Sequence, residues 1–141
     1  MNEEPIISEE LQSLVNVPQG PDVYDIEKGM VKKFVEAIED PNIRWKDEAP
    51  PTFPAALVPT TLLHKLFNAP TKLKRILNGA SELEYFQPIK TGDTISVTGT
   101  LTRLRQVEGK ESTSLFMITE VTYTNQRGEV AVKGKNTYVK Y

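Results

Sequence analysis

Residues 94–104, which read TISVTGTLTRL, decide the fold of this chain. Apolar side chains alternate with hydroxyl side chains along this stretch, and a period of two predicts a strand with one buried face. Residues 113–124 (TSLFMITEVTYT) repeat the pattern, and residues 129–141 and 80–86 repeat it more loosely. Turn sequences separate these stretches, so the second half of the chain predicts about four long antiparallel strands.

Two helices are predicted before these strands. Apolar residues recur at helical spacing from Ile26 to Ile38, with Asp25 as the expected N-cap. Residues 55–68 have a wider apolar band, which predicts a more buried helix. Pro59 conflicts with a helix that begins at residue 55, so this helix either kinks or begins its regular part at Pro59.

Residues 40–54 lie between the helices and are rich in proline, which favours turns and extended backbone. The segment also contains Ile43, Trp45 and Phe53. Because solvated linkers rarely carry such side chains, we expect an ordered overhang that packs on the body of the domain.

The order of the elements predicts a single α+β domain in which a curled antiparallel sheet surrounds the central helix at about residues 55–68. This domain is expected to span residues 20–141, with residues 1–19 as a partly ordered lead-in. One helix covers only part of a sheet, so we also expect a dimer. Its two sheets would join edge to edge, with the two central helices adjacent.

The composition excludes several classes of function. The 141 residues include 17 Lys and Arg against 19 Asp and Glu, a net charge of −2 that argues against a nucleic-acid-binding surface. The chain has no cysteine and one histidine, His64, which excludes thiolate metal sites, cysteine nucleophiles and mechanisms that need two imidazoles. No metal is expected. No stretch approaches the ~18 apolar residues of a membrane span, and residues 1–5 are acidic, so the expectation is a cytoplasmic protein.

Three stretches carry a resemblance to a known family: residues 34–42 (FVEAIEDPN), residues 49–53 (APPTF), and residues 84–95 (EYFQPIKTGDTI) together with residues 124–129 (TNQRGE). They resemble segments of the MaoC-like hot-dog family of enoyl-thioester hydratases and 3-hydroxyacyl dehydratases. The resemblance covers roughly residues 20–141. It implies a hot-dog fold and an acyl-CoA or acyl-carrier-protein thioester as ligand, without a further cofactor.

The family carries the signature Gly-Asp-x-Asn-Pro-x-His, whose Asp and His act together through one water molecule. Asp40 and Asn42 match this signature, whereas Glu39, Ile43 and Trp45 replace its Gly, Pro and His. An indole N–H only donates a hydrogen bond and cannot exchange a proton at neutral pH. The departure resembles the non-catalytic halves of this family, which supply acyl-binding surface beside a catalytic hot-dog partner.

The candidate catalytic residues each have a simpler interpretation. Asp40, with Asn42, could act as a general base, but Asp-Pro-Asn after a helix is also ordinary turn chemistry. Without a histidine at the matching position, a bracing role for Asp40 is favoured. His64 could replace the missing imidazole, although its place on the second helix favours a surface or partner-facing position.

The candidate binding residues follow from the same resemblance. An acyl chain would contact Trp45, Pro51, Phe53 and Asn42, although simple packing of the overhang also explains Trp45. The phosphates of coenzyme A, or the acidic surface of a carrier protein, would contact Lys72, Lys74 and Arg75, which could equally form a solvated turn.

The leading hypothesis is an acyl-thioester-binding subunit of a MaoC-type 2-enoyl hydratase or 3-hydroxyacyl dehydratase that lacks the catalytic histidine. This subunit would form a homodimer or a heteromer with a catalytic MaoC-like chain. An alternative is an active homo-oligomeric hydratase, or an acyl-CoA thioesterase, that uses Asp40, Glu39 or Glu48. A domain that only binds or sequesters acyl-CoA is a third hypothesis.

Overall fold

The computed structural model describes residues 5–141 of the chain. Within them, helices and strands alternate in the first half and strands fill the second. The α-helices are α1 (Glu9–Ser13), α2 (Lys28–Ile38) and α3 (Thr60–Asn68); the strands are β1 (Gln19–Asp25), β2 (Ile76–Tyr85), β3 (Thr94–Glu108), β4 (Thr113–Thr124) and β5 (Val130–Lys140); two 3-10 helices lie at Ile43–Lys46 and Phe53–Ala56.

The five strands form one antiparallel sheet in the order β1-β3-β4-β5-β2. This confirms the predicted single α+β domain with a curled antiparallel sheet. β4 has the predicted bounds, whereas β1 begins at Gln19, inside the predicted lead-in. β2 begins at Ile76, before the predicted stretch, and passes a register shift between Asn78 and Ala80.

The buried face of the sheet follows the alternation in the sequence. Ile95, Val97 and Leu101 of β3 are fully buried, as are Leu115 and Met117 of β4. The buried leucines of α3 pack against three of these strand side chains. The overhang and α2 cover the other end of the buried face. The cluster under α3 joins Leu62 and Leu66 to Leu101, Leu115 and Met117.

A beginning of the central helix at residue 55 is wrong, whereas the alternative beginning at Pro59 agrees with the structure to within one residue. α3 begins at Thr60, with Pro59 as its N-cap, and residues 53–56 form a separate 3-10 helix. Because Pro59 has no side-chain hydrogen-bond acceptor, it cannot cap the helix itself. The Asp22 carboxylate of β1 caps it instead, accepting from the Thr61 backbone N–H at 3.0 Å and from the Thr61 hydroxyl at 2.7 Å.

The predicted N-cap of the first long helix is also wrong. Asp25 lies in β1, where its carboxylate accepts a hydrogen bond from the Thr94 hydroxyl at 3.1 Å. The N-cap residue of α2 is Glu27 instead of Asp25, and the Glu27 side chain makes no capping hydrogen bond. α2 ends at Ile38, and Glu39 adopts a left-handed backbone conformation with φ 55°.

The predicted lead-in includes an ordered helix. Ser8 caps α1, accepting a hydrogen bond from the Leu11 N–H at 3.2 Å, and Leu11 is fully buried in the cluster beneath α3. Residues 1–4, which belong to the predicted lead-in and carry the acidic N-terminal sequence, lie outside the described residues.

Gly99 of β3 lies where α3 crosses the sheet. A Cβ at this position would come within 2.8 Å of Leu62 Cδ2 and 3.0 Å of Pro59 Cβ. We therefore expect Gly99→Ala to lower the free energy of unfolding by about 1–3 kcal/mol, because α3 must move off the sheet. Urea unfolding measures the change.

Gly29→Ala is the matched control. A Cβ at Gly29 in α2 meets nothing within 4 Å, so alanine should raise stability by up to about 1 kcal/mol through helix propensity. If Gly99→Ala left the free energy of unfolding unchanged or raised it, as Gly29→Ala should, the close contact between α3 and β3 would be contradicted.

Candidate functional site

Asp40 and Trp45 hydrogen-bond to each other at the start of the overhang. The Trp45 indole Nε1–H donates to Asp40 Oδ2 at 2.8 Å, and the Asn42 backbone N–H donates to Asp40 Oδ1 at 3.0 Å. Asn42 Oδ1 in turn accepts from the Arg44 backbone N–H at 3.0 Å. Both oxygens of the Asp40 carboxylate are therefore engaged within its own loop.

The backbone of this loop keeps the shape that the family signature suggests. Glu39 occupies the signature's glycine position with the positive φ that glycine adopts most readily. Pro41 follows Asp40 and offers no N–H, so the next available donor is the N–H of Asn42. The loop thus presents Asp40 to residue 45, where the side chain is an indole instead of an imidazole. The pair can hold the loop closed but cannot relay a proton.

Trp45 also forms part of the wall of a cavity of about 330 Å³. The Arg44 guanidinium carbon lies 5.5 Å from the centre of the Trp45 ring, and the Arg44 guanidinium pairs with the Glu48 carboxylate at 3.2 Å. The volume is at the lower end of small-molecule sites. Besides these three residues, its walls contain Ala49, Pro50, Pro51, Pro54, Tyr85, Phe86, Gln87, Pro88, Ile89 and Val132.

Three tyrosines hydrogen-bond to the proline-rich segment, two of them to prolines that line this cavity. The hydroxyl of Tyr85 in β2 donates to the Pro51 carbonyl at 2.5 Å, and that of Tyr123 in β4 donates to the Pro54 carbonyl at 3.2 Å. In the same way the Tyr24 hydroxyl of β1 donates to the Val58 carbonyl at 2.6 Å. Proline lacks an N–H and prevents regular pairing of this segment, so the sheet supplies donors from its side chains.

Gln87 contributes an amide to the cavity and belongs to a polar network. Its Nε2 donates to Glu129 Oε2 at 2.8 Å, and Glu129 also accepts from Arg127 and Asn125. These hydrogen bonds, the one from Arg127 first, lower the pKa of Glu129 to about 2. Glu129 therefore stays ionised at neutral pH. The sequence analysis missed Gln87 because a lone glutamine beside a proline carries no distinctive pattern.

The structure places the predicted acyl-binding residues in two environments. Trp45 and Pro51 line the cavity, whereas Asn42 and Phe53 do not. Phe53 is 1% exposed and packs edge-to-face on Phe34, with 5.3 Å between ring centres. Phe53 therefore belongs to the core beneath the overhang.

The other predicted residues lie away from Asp40. His64 is exposed on α3 and hydrogen-bonds to Asn68 one turn later, with Nδ1 3.2 Å from the Asn68 amide nitrogen. Lys74 and Arg75 line a second cavity at the end of α3, and Lys72 does not. Within residues 5–141, no cluster of three or more His, Cys, Asp or Glu side chains could hold a metal ion. No described helix combines the length and apolarity needed to cross a membrane.

Comparison with known proteins places this site in a family context. Residues 13–133 match the family model described as FAS1-like, dehydratase domain region. Over 133 residues, the chain is 25% identical to a UPF0336 protein of Thermobifida fusca (strain YX), covering 77% of this chain and 88% of the relative.

Two solved structures share the fold. The HadBC (3R-hydroxyacyl-ACP dehydratase) complex of Mycobacterium tuberculosis aligns with a TM-score of 0.75 at 15% identity, covering 89% of this chain and 96% of that one. A MaoC-like dehydratase of Rhodospirillum rubrum aligns with a TM-score of 0.68 at 20% identity, covering 93% and 95%. These likenesses confirm the predicted MaoC-like hot-dog fold.

Tyr123 allows a test of how the sheet holds the overhang. Burial, followed by the influence of the neighbouring tyrosines, raises the pKa of Tyr123 from 10.0 to about 12. Because the folded pKa is the higher one, the stability linked to this phenol is present below pH 10 and falls as the pH rises towards 12. Burial also raises the pKa of Tyr85 and of Tyr138, so absorbance at 295 nm should show several late-titrating phenols, and Tyr123→Phe should remove the last of them. If the amplitude of the latest phase were unchanged in Tyr123→Phe, the burial of the Tyr123 phenol beneath the overhang would be contradicted.

Proposed function

This chain belongs to the family described as FAS1-like, dehydratase domain region, and on that premise we propose that it is the acyl-thioester-binding subunit of a MaoC-type hydratase or dehydratase. On this proposal the chain contributes an acyl-binding cavity, and another hot-dog chain contributes the acid–base residues. The ligand is an acyl-CoA or an acyl-carrier-protein thioester.

The observation that carries the proposal is the hydrogen bond between Trp45 and Asp40. Adding water to an enoyl thioester requires one group that takes a proton and one that delivers it. The Asp40 carboxylate is bound by an indole, which can do neither, and by the Asn42 backbone N–H. The chain's single histidine, His64, is bonded to Asn68 on α3 and does not complete the pair.

The N-terminus of α3 supports the same conclusion. Free N–H groups at a helix N-terminus can stabilise an oxygen that gains negative charge, such as a thioester carbonyl during reaction. Here the Asp22 carboxylate accepts from the Thr61 N–H and hydroxyl, so a negative charge of the chain itself already occupies this end. A second negative charge at the same place would be repelled.

The cavity beside Trp45 supports a binding role. Its walls are formed largely by prolines, aromatic rings and aliphatic side chains, with the Gln87 amide and the Arg44–Glu48 pair as polar groups. An apolar wall suits an acyl chain, and a few polar groups suit the thioester end.

The β2 edge supports assembly with a second chain. β2 pairs with β5 on one side only, and every residue from Ile76 to Tyr85 except Leu83 is exposed. A ten-residue strand with an open edge presents unpaired backbone groups to another strand. The hot-dog dehydratase of Mycobacterium tuberculosis that shares this fold is described as a complex, HadBC, which favours a second hot-dog chain as the partner.

Hydration of crotonyl-CoA by the purified chain tests the proposal. We expect no measurable turnover by the chain alone, and no change in Asp40→Asn, because loss of a positioned acid–base group typically lowers the rate by about 10²–10⁴-fold. Glu36→Gln, on the exposed side of α2, is the matched control. Robust turnover that collapses in Asp40→Asn but not in Glu36→Gln would overturn the proposal and favour the alternative, an active enzyme that uses Asp40. Release of free CoA from a saturated acyl-CoA would identify that alternative as a thioesterase.

Cysteine cross-linking tests the proposed β2 interface, since the chain has no cysteine of its own. Ser81 lies near the middle of β2, so Ser81→Cys should form an intermolecular disulfide when two antiparallel β2 strands meet, either between copies or with a partner's matching cysteine variant. Lys110→Cys, in the turn between β3 and β4, is the control and should remain reduced. A stable monomer of 15.9 kDa in light scattering, both alone and with a co-expressed catalytic MaoC-like chain, would contradict the interface.

A further inference from the structure

The sheet has one face that no described helix covers. In β4, the odd-numbered residues from Leu115 to Tyr123 are buried, and the even-numbered residues lie on the opposite side. The buried apolar side chains of the three α-helices all belong to core clusters on the odd-numbered side. We call the even-numbered side of β4, together with the residues of the neighbouring strands that lie in register with it, the outer face.

The outer face changes composition at the same level in three neighbouring strands. In β4, Phe116 and Ile118 are followed along this face by Glu120 and Thr122. The residues in register with the first pair are largely apolar, namely Val139 and Thr137 of β5 and Leu77 and Ala80 of β2. Those in register with the second pair are charged, namely Lys135 and Lys133 of β5 and Glu82 and Glu84 of β2. One half of this open face is therefore largely apolar, and the other half is charged.

The apolar side chains of this half lie close together and outside the core. Gly79, at the register shift in β2, has no side chain, and a Cβ there would lie 3.1 Å from Val139 Cγ2 and 3.8 Å from Leu77 Cδ1. Leu77 is 44% exposed. Four apolar residues of this half belong to neither core cluster, namely Leu77, Phe116, Ile118 and Val139. Contiguous apolar surface outside the core marks a place where another molecule binds.

Arginines border this apolar surface on two sides. Arg103 and Arg105 of β3 lie in register with its β4 residues, are exposed, and form no ion pair with a described residue. Arg75, just before β2, lies opposite Tyr141, with its guanidinium carbon 5.9 Å from the Tyr141 ring. Because β4 and β5 separate β3 from β2, the two borders are about 14 Å apart, three times the strand spacing. We call the four apolar residues, Tyr141 and the three arginines the outer patch; it contains no Asp or Glu.

We propose that the outer patch is a docking surface for an acidic amphipathic helix of a partner protein. An α-helix is about 10–12 Å wide with its side chains, so it fits between borders about 14 Å apart. Its apolar stripe covers the apolar residues, and carboxylates on its two flanks reach Arg103 and Arg105 on one side and Arg75 on the other. Along β5 the patch runs from Thr137 to Tyr141, about 14 Å, which corresponds to about nine residues of helix.

Other occupants fit the outer patch poorly. Two outer patches packed on each other would bring three arginines from each copy into one interface without an Asp or Glu. The carboxylates of the other half are matched within that half, since Lys135 lies between Glu82 and Glu120, and Lys133 lies opposite Glu84. An oligonucleotide binds such a face by stacking its bases on aromatic rings, whereas the centre of the patch is largely aliphatic. The partner must therefore supply both carboxylates and an apolar stripe.

The outer patch is separate from the proposed acyl-binding surface. Tyr85 and Val132 line the cavity beside Trp45 and lie in register with the buried Tyr123. They therefore lie on the face opposite to the outer patch. The inference concerns a further partner and does not rest on the proposed function.

Fluorescence anisotropy with the full chain tests the inference. The probe is a labelled helical peptide of about 18 residues, or five turns, with a leucine stripe flanked by glutamates. A control peptide carries lysine in place of every glutamate. We expect saturable binding of the acidic peptide only, weakened by higher ionic strength. Arg103→Gln combined with Arg105→Gln should weaken binding by about 3–30-fold, the effect of losing two exposed ion pairs. Lys133→Gln combined with Lys135→Gln, on the other half of the same face, should change it less than about twofold.

Backbone NMR of the complex should place the largest shifts at residues 75–80, 103–107, 114–118 and 137–141. All four substituted side chains are exposed, so the variants should fold like the wild-type chain. Absence of saturable binding by the acidic peptide, equal binding of the lysine peptide, or equal weakening by the two double variants would overturn the inference. A short oligothymidylate that displaced the peptide with equal affinity would overturn it in favour of a nucleic acid. A dimer of the chain that the acidic peptide dissociates would overturn it in favour of a second copy.

Discussion

A proline-rich segment that cannot satisfy its own hydrogen bonds is the constraint on which this structure depends. Four prolines between residues 50 and 59 remove four N–H donors from the stretch that joins the overhang to the central helix. The sheet compensates with tyrosine hydroxyls from β1, β2 and β4, which donate to the carbonyls of Val58, Pro51 and Pro54. The hydroxyl contacts hold the segment over one end of the sheet, where its prolines become a wall of the cavity beside Trp45.

The first turn of the overhang determines the chemistry that this chain can perform. Both oxygens of the Asp40 carboxylate accept hydrogen bonds from within this loop, one from the Asn42 N–H and one from the Trp45 indole, and Asn42 Oδ1 accepts from the Arg44 N–H. The Trp45 indole N–H can only donate a hydrogen bond, so this pair does not by itself transfer a proton. The Asp22 carboxylate occupies the N-terminus of α3. This helix end and the Asp40 loop are two places that could stabilise a reacting thioester, and both are occupied by carboxylates of the chain itself. Binding remains the function that the geometry favours.

The sequence could predict the sheet, because the alternation of apolar and polar side chains follows the alternation of buried and exposed positions along a strand. The predicted bounds of β4, residues 113 and 124, agree with the structure. It could not decide whether α3 begins near residue 55 or at Pro59, since the cap comes from Asp22, 39 residues before Thr61 in the chain. Of the candidate binding residues, Trp45 and Pro51 reach the cavity, while Phe53 turns into the core because Phe34 of α2 packs against it. Gln87 was missed, because its place in the cavity wall depends on neighbours that only the folded chain brings together.

The central claim is that Asp40 is a structural partner of Trp45 and not a general base. Hydrogen exchange of the indole N–H tests it most directly, because Trp45 is the only tryptophan in the chain and gives a single indole signal. The account predicts that this proton is protected in the wild-type chain and that Asp40→Ala abolishes the protection and shifts the signal. An indole proton that exchanges at the rate of free tryptophan, with a signal unchanged by Asp40→Ala, would contradict it.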